Sequence, residues 1–167
     1  MLFKDFKLIR LNSNTKILPF DCGNNDLNGF LFDDALDYAN QLLATTFIIQ
    51  SDTETVAYFN YLNDKISHTE IGNKDKFIQR ISSLLPEGKD GYTSYPAVKI
   101  GRLAVSKNFK SKGYGRDILN FTKALFVDNN RTGCKFITVD AYRESLDFYV
   151  KTDLNIYQAK IENLTQD

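Results

Sequence analysis

Two glycines one residue apart, Gly113 and Gly115, lie in the segment "KSKGYGR" (110–116), with lysines before them and an apolar-periodic helix pattern after them. The first turn of a helix has unpaired backbone N–H groups and partial positive charge, and glycine lets a ligand approach the backbone. A phosphate group would fit such a loop. Taken alone, the glycine pair is more typical of a plain turn between a strand and a helix than of a phosphate site.

The glycine segment matches neither of two known phosphate-binding patterns, and the charge around it is local. A Walker loop does not occur, and the dinucleotide fingerprint fails because Ile118 occupies the place of its third glycine. The chain is neutral overall, with 21 basic and 21 acidic residues, so it lacks the overall positive charge that would attract nucleic acid or membranes. Residues 97–123 nevertheless carry seven basic residues against Asp117 alone, a net charge of +6.

The cysteines and the apolar runs indicate no metal site and no export. Cys22 and Cys134 lack metal-ligand spacing and a disulfide framework, so we expect both to be reduced, buried small residues. The longest apolar-rich run, "LLATTFII" (42–49), is far shorter than the ~18–20 residues that span a bilayer. We therefore expect a cytoplasmic protein without a membrane segment.

The elements that must position the glycine loop follow from periodicity, and a chain of 167 residues fits one domain, 1–167. Strands alternate with helices through the second half, which predicts an α/β (α+β) fold with a mixed sheet. A helical region from Leu27 to Ala39 is predicted to be interrupted near Phe32. The predicted strands are a short one ending near Arg10, then 44–50, 55–63, 97–105, 135–141 and 154–161. The other predicted helices are 74–85, one beginning just after the glycines, and 143–152, with a loop at 86–96.

Several segments in order resemble the GNAT superfamily of acyl-CoA-dependent N-acetyltransferases. "RLAV" (102–105), "KSKGYG" (110–115), a strand ending in "VDA" and "FY" (148–149) match its blocks, with Lys110 where the family has Gln or Arg. "FDCGNNDLNGFLFDDA" (20–35), "YPAVKIGRLAV" (95–105) and "GCKFITVDAYRESLDFYVK" (133–151) narrow the resemblance to the GNAT toxins of type II toxin–antitoxin systems. One departure is Asp153-Leu154, where such chains have Gly-Phe.

The resemblance implies a fold and a cosubstrate site. The implied fold has a mixed sheet of about six to seven strands, helices on both faces, and a splay between strands four and five; Gly101 is consistent with the family's bulge in strand four. The implied ligand is acetyl-CoA, with pantetheine on the strand backbone and pyrophosphate on the glycine loop. The residues assigned to it are Leu103, Ala104, Val105, Lys110, Ser111, Lys112, Gly113, Tyr114, Gly115 and Arg116.

The resemblance also implies direct acetyl transfer to a primary amine, with Tyr149 as the acid facing the thioester sulfur. The resembling toxins acetylate the α-amine of aminoacyl-tRNA and are neutralised by an antitoxin, and a homodimer is a further partner to consider. An α-amine (pKa ~7.8) costs only ~1.1 kcal/mol to deprotonate at pH 7, against ~4.6 kcal/mol for a lysine, which agrees with that substrate. A small amine, a protein amine and a non-catalytic acyl-CoA-binding module remain alternatives.

The general base and the tRNA-binding face stay open at this point. Asp140, Glu144 and His68 are candidates for the base, although nothing in the spacing ties His68 to a cleft. The helix "KDKFIQR" (74–80) offers a second basic patch, although this pattern is more typical of a solvated helix face. Its basic residues are Lys74, Lys76 and Arg80.

Overall fold

The computed structural model describes residues 3–128 and 132–152, and its strands form one mixed sheet in the order β1-β2-β3-β4-β5. All neighbours are antiparallel except β4 and β5, which are parallel. The strands are β1 Lys7–Arg10, β2 Thr45–Gln50, β3 Thr55–Ser67, β4 Ser94–Val105 and β5 Phe136–Val139. The mixed α/β sheet is therefore confirmed, with five strands among the described residues. The predicted strand 154–161 and Asp153-Leu154 lie outside the described residues.

The helices follow the predicted pattern closely. The α-helices are α1 Asn25–Gly29, α2 Ala35–Asn40, α3 His68–Ile71, α4 Lys74–Ile81, α5 Tyr114–Val127 and α6 Leu146–Val150. Short 3₁₀ turns cover Ser82–Leu84, Lys107–Phe109 and Arg143–Ser145. Among the described residues, no helix has the length and apolar character needed to cross a bilayer.

The first helical region contains the interruption that its sequence predicts. Asn24 caps α1 by accepting a hydrogen bond from the backbone N–H of Leu27 at 3.0 Å. A π-helical segment, Phe30–Asp34, then joins α1 to α2 and is centred on Phe32. Phe30 and Leu31 are buried within it, whereas Phe32 is 48% exposed. The extra residue of a π-turn thus keeps the apolar side chains on the sheet side.

Helices cover both faces of the sheet, as predicted. On one face, α5 buries Ile118 and Leu119 against a core that includes Ile100 of β4. On the other face, Leu31 of the π segment packs in a cluster with Tyr58 of β3. Since the side chains of a strand alternate between faces, β4 contributes to both cores.

The hairpin of β3 and β4 is longer than predicted. Residues 64–67 and 94–96, predicted as polar connection and loop, are paired strand, with Ile66 opposite Tyr95. Their pairing is stabilised by a separate core in which Phe77 and Ile81 of α4 pack on Tyr95. The local sequence is polar because only one side of this extension is covered.

Candidate functional site

The sheet opens between β4 and β5. The two strands pair over four residues, from Ala97 opposite Phe136 to Ile100 opposite Val139. The last link is the backbone N–H of Asp140, which donates to the carbonyl of Ile100 at 3.1 Å. Beyond Ile100, β4 continues to Val105 paired with β3 only. The predicted splay is therefore present, and Asp140 lies at its vertex.

A β-bulge begins where the strands part. Gly101 and Arg102 together oppose the single residue Asn60 of β3, whose side-chain oxygen accepts the Arg102 N–H at 2.8 Å. A Cβ at position 101 would lie 2.6 Å from Leu62 Cδ1 and 2.9 Å from Asn60 Oδ1. Gly101 is required because these two side chains occupy the space. The bulge predicted at Gly101 is confirmed.

The bulge leaves an open backbone edge on β4. Ser106 N–H donates to Val56 O at 2.9 Å, so these two residues form a hydrogen-bonded pair. Along an antiparallel ladder every second pair is hydrogen-bonded in this way. Ala104, opposite Tyr58, therefore directs its N–H and C=O toward β3. Leu103 and Val105 direct theirs into the splay. Of the three residues predicted to bind pantetheine, Leu103 and Val105 thus offer their backbone groups to the splay, whereas those of Ala104 are paired with β3.

The glycine loop follows the open edge and ends at the first turn of α5. Ser111 (φ +61°) and Gly113 (φ +90°) adopt left-handed backbone conformations, and Gly113 is the N-cap of α5. The first intrahelical bond runs from Asp117 N–H to Gly113 O, at 3.0 Å. The N–H groups of residues 114–116 thus lack intrahelical acceptors. No atom lies within 4 Å of a Cβ built on Gly113, so the loop has room for a ligand.

Fewer of the cations in the basic segment 97–123 are free to bind a ligand than the sequence count indicates. Lys99, Arg102 and Lys107 are each held by a carboxylate, and Lys123 Nζ donates to the carbonyl of Thr152. The remaining three cations are exposed around the loop and make no ion pair with the described residues. They are Lys110, Lys112 and Arg116. Three charges rather than seven are therefore available to an anionic ligand.

Lys107 instead links the base of the loop to the turn before α1. Its Nζ lies 2.8 Å from Asp21 Oδ2, and its backbone N–H donates to Asp21 O at 2.8 Å. Hydrogen bonds from Lys107, from Asn28 and from the Gly23 N–H hold the pKa of Asp21 well below its usual range. A Cβ at Gly23 would lie 2.9 Å from Lys107 Cε. This link fixes the chain after β4 to the turn before α1.

Tyr149 lies on α6, beside the splay. Its side chain is 4% exposed and packs in the α5-side core. Its hydroxyl makes no hydrogen bond with the described residues. Among those residues, the side-chain polar atoms that are both fully buried and without a partner are Thr46 Oγ1 and Arg102 Nε, so the Tyr149 hydroxyl is not fully buried. Burial and the charge of Asp140 raise its pKa to about 12. The phenol is thus neutral at physiological pH and reaches accessible space.

The three candidate bases occupy different places. Asp140 lies at the vertex, with its carboxylate 3.3 Å from Lys99 Nζ. Glu144 is exposed on a 3₁₀ turn. His68 follows the far end of β3, eight residues beyond Asn60, or roughly 26 Å at about 3.3 Å per residue. The structure brings Asp140 to the splay and places His68 away from it.

Lys99 is held by two carboxylates. Its Nζ lies 3.3 Å from Asp140 and 3.7 Å from Asp64 of β3, and Thr138 donates to Asp64 at 2.6 Å. Although partial burial acts in the opposite direction, the two carboxylates raise the pKa of Lys99 above its ordinary value. Lys99 alternates with Val98 and Ile100 of the α5-side core, so it lies on the α1 side of the sheet.

A second charged cluster on the α1 side was missed by sequence reasoning. The Arg102 guanidinium carbon lies 4.1 Å from the centre of the Phe30 ring, and Nη2 lies 3.8 Å from Asp26 Oδ2. Tyr142 also donates a hydrogen bond to Asp26. Asp26 and Tyr142 are 116 residues apart, so no spacing signal connects them. The only local signal was an acidic residue in the first turn of α1.

The two cysteines lie outside this arrangement. Cys22 is buried, and its thiol contacts Asn28 Oδ1 at 3.2 Å. Cys134 is half-buried, and its thiol contacts the Phe136 carbonyl at 3.1 Å. Burial raises the pKa of Cys134. Both behave as structural residues, with Cys134 less buried than expected.

The architecture matches solved structures of bacterial toxins. A tyrosine-to-phenylalanine mutant of KacT is 17% identical, with a TM-score of 0.68, and the match covers 89% of this chain and 86% of that chain. AtaT complexed with acetyl-methionyl-tRNAfMet is 18% identical, with a TM-score of 0.69 and the same coverage. The chain has the GNAT toxin fold. AtaTR bound with acetyl-CoA is 19% identical, with a TM-score of 0.69, and the match covers 90% of this chain and 86% of that chain.

Sequence comparison alone matches no family model and no curated protein. The similarity of this chain to the toxins therefore lies in the course of the backbone.

Proposed function

We propose that the protein is an acetyl-CoA-dependent N-acetyltransferase that acetylates the α-amine of aminoacyl-tRNA directly and thereby blocks translation as a toxin. One observation carries the transferase assignment. The open edge at Leu103 and Val105 leads from the vertex of the splay to the glycine loop and packs against the core that contains Tyr149, whose hydroxyl has no hydrogen-bond partner in the described part of the chain. In this proposal the strand edge, the loop with its free N–H groups and the Tyr149 phenol would act together as one site.

The residues of the cleft fit acetyl-CoA as cosubstrate. Leu103 and Val105 would pair with the amides of the pantetheine arm in the manner of an added strand. The N–H groups from Ser111 to Arg116 would hold the pyrophosphate, and Lys110, Lys112 and Arg116 would balance its charge. Each charge-assisted hydrogen bond contributes about 1.5–3 kcal/mol. The backbone therefore supplies most of the recognition.

Tyr149 would assist departure of the thiol. A free thiol has a pKa of ~8.5 and the Tyr149 phenol one of about 12, so the phenol keeps its proton while donating a hydrogen bond to the developing thiolate. Its hydroxyl forms no competing hydrogen bond with the described residues. The charge that develops on sulfur is thus stabilised without a covalent intermediate on the protein.

The acceptor would approach from the opposite face of the sheet. The glycine loop and α5 would hold the cosubstrate from one side, and on the α1 side of the vertex the side chain of Asp140 is 37% exposed. Ion pairs on that side comprise Lys99 and Arg102 against Asp26, Asp64 and Asp140, two cations against three anions, a net charge of −1. Such a surface attracts an ammonium group and disfavours a phosphate at the reaction centre.

The acceptor and the partner are further suggested by the structural neighbours. The solved structures include AtaT complexed with acetyl-methionyl-tRNAfMet, a mutant AtaT toxin bound to the C-terminus of the antitoxin AtaR, and a KacTA–DNA complex. On this basis we extend the proposal to a charged tRNA as acceptor and to a cognate antitoxin as partner. The tRNA phosphates would lie away from the net-negative vertex. The exposed basic residues of α4, Lys74 and Lys76, are available to them.

Labelled acetyl-CoA and a pool of charged tRNAs test this function. We expect label on the amino acid of one or more aminoacyl-tRNAs, none on uncharged tRNA, and little with Tyr149→Phe. Lysine-rich peptides and small amines serve as competing acceptors. If acetyl-CoA binds and only these amines gain label, the tRNA substrate is wrong and the transferase stands. If no acceptor gains label, the transferase proposal fails.

A further inference from the structure

Asp140 is the carboxylate that the fold places at the vertex of the splay. Its backbone N–H closes the last link between β5 and β4, and the open edge begins within three residues of its partner Ile100. A cosubstrate whose phosphates lie at the glycine loop extends its reactive end along Val105 and Leu103 toward this vertex. The reacting carbon would therefore arrive beside Asp140.

The side chain of Asp140 lies on the face that the acceptor would use. It contacts Lys99, which is on the α1 side of β4, and it is 37% exposed. Its charge also contributes to the raised pKa of Tyr149, so the carboxylate and the phenol act on the same region from opposite sides. Of the three candidate bases, Asp140 alone combines this face with the vertex.

The neighbouring charges allow Asp140 to exchange partners. Lys99 contacts both Asp140 and Asp64, so it keeps one carboxylate if Asp140 turns to an arriving amine. Asp64 is itself fixed by Thr138, and the other anion of this face, Asp26, is held by Arg102 and Tyr142. Asp140 is the member of the cluster with no hydrogen bond from a neighbouring hydroxyl among the described residues.

We infer that Asp140 binds the amine of the acceptor and takes its proton during transfer, an inference that rests on the proposed function. The ammonium group first loses one proton to solvent; the neutral amine nitrogen then forms a bond to the carbonyl carbon of the thioester, and the bond from that carbon to sulfur breaks. The leaving sulfur is stabilised by the Tyr149 hydroxyl and gains a proton from solvent. The nitrogen loses one proton to the Asp140 carboxylate, which releases it to solvent, so atoms and charge balance.

Asp140→Asn and Asp64→Asn form a matched pair for testing this role. Each substitution replaces one of the two carboxylates that pair with Lys99 by an amide of similar shape. A loss of kcat that arises from a disturbed Lys99 would therefore appear in both variants. We expect Asp140→Asn to lower kcat for charged tRNA by about 100-fold or more, the range of a lost proton acceptor. Asp64→Asn should lower it less than about threefold, and Asp140→Glu should retain at least ~10 times the rate of Asp140→Asn.

Binding and stability complete the experiment. Calorimetry should give all variants an acetyl-CoA Kd within about threefold of the wild type, because the proposed role begins only with the acceptor. Equal losses of kcat in Asp64→Asn and Asp140→Asn would assign the effect to Lys99 and overturn the inference, as would full activity of Asp140→Asn. If Asp140→Asn does not fold, inactivity of a folded Asp64→Asn equally overturns it. A wild type that transfers to no acceptor rejects the proposed function itself.

Discussion

The ring of Phe148 rests on the backbone of Gly115. A Cβ at position 115 would lie 2.9 Å from Phe148 Cζ and 3.1 Å from its Cε2. Gly115 is in the first turn of α5 and Phe148 is in α6, so the glycine loop and the helix that carries Tyr149 pack as one unit. The second glycine of the motif thus has a packing role as well as proximity to a ligand.

Gly115→Ala should separate stability from activity. Alanine gains roughly 0.5–1 kcal/mol over glycine within a helix, and the clash is with the far end of a half-buried ring that can shift. We expect little net change in Tm but a fall in kcat of about tenfold, because the ring shift displaces the adjacent Tyr149. Thermal melting and acetyl transfer measure the two effects. Gly91→Ala, with no atom within 4 Å, is the control and should leave both unchanged.

Tyr149→Phe should remove activity without weakening the fold. The hydroxyl makes no hydrogen bond with the described residues, so its loss should change the free energy of unfolding by less than about 0.5 kcal/mol. The rate of acetyl transfer should fall about 10²–10⁴-fold, the usual contribution of a positioned acid. Urea unfolding and single-turnover kinetics check these results. A retained rate would show that Tyr149 is a packing residue only.

Stability should fall in alkaline solution as buried tyrosines ionise. Burial raises the pKa of Tyr149 from 10.0 to about 12, and burial also raises the pKa of Tyr58 and Tyr61. The unfolded chain releases these protons first, so the stabilisation is complete below pH 10 and is lost as pH rises toward the folded pKa values. At pH 11, the free energy of unfolding of Tyr149→Phe should therefore have fallen by about 1.4 kcal/mol less than that of the wild type. Urea titrations at pH 9 and 11 measure this difference, and equal losses would contradict it.

The bulge should depend on Asn60. Asn60 is 1% exposed, and its replacement by alanine leaves the Arg102 N–H without its acceptor. We expect Asn60→Ala to cost about 1–3 kcal/mol of unfolding free energy and to weaken acetyl-CoA binding as the open edge of β4 relaxes. Thr46→Val is the contrasting variant, because the buried Thr46 hydroxyl has no partner to lose. It should be neutral or stabilising in urea unfolding, with unchanged acetyl-CoA affinity in calorimetry.

Local patterns predicted the parts of the site that are local in sequence. The glycine loop, the helix after it and the bulge at Gly101 each follow from residue types within a few positions, and all three are present. The interruption near Phe32 followed from a shift in apolar spacing. The parts that depend on pairing across the sheet were not predicted. Which of Leu103, Ala104 and Val105 faces the splay depends on register with β3, which no local pattern contains.

Charge was the least predictable property. The sequence count of 97–123 treats every lysine and arginine as available, whereas distant carboxylates hold three of them. Asp21 and Asp26 lie more than 70 residues before their partners, so only the fold reveals that these cations are used internally. The ion-paired residues on the α1 side of the vertex consequently carry a net negative charge, two cations against three carboxylates.

The π segment Phe30–Asp34 sets the angular relation between the two halves of the first helical region. Each residue of an α-helix advances the chain by about 100°, so removal of the extra residue would turn α1 by roughly that angle relative to α2. Asp26 would then point away from Arg102 and Tyr142, although the apolar composition of the region would hardly change. Insertions and deletions of one residue in this region are therefore expected to alter acceptor choice before they alter folding.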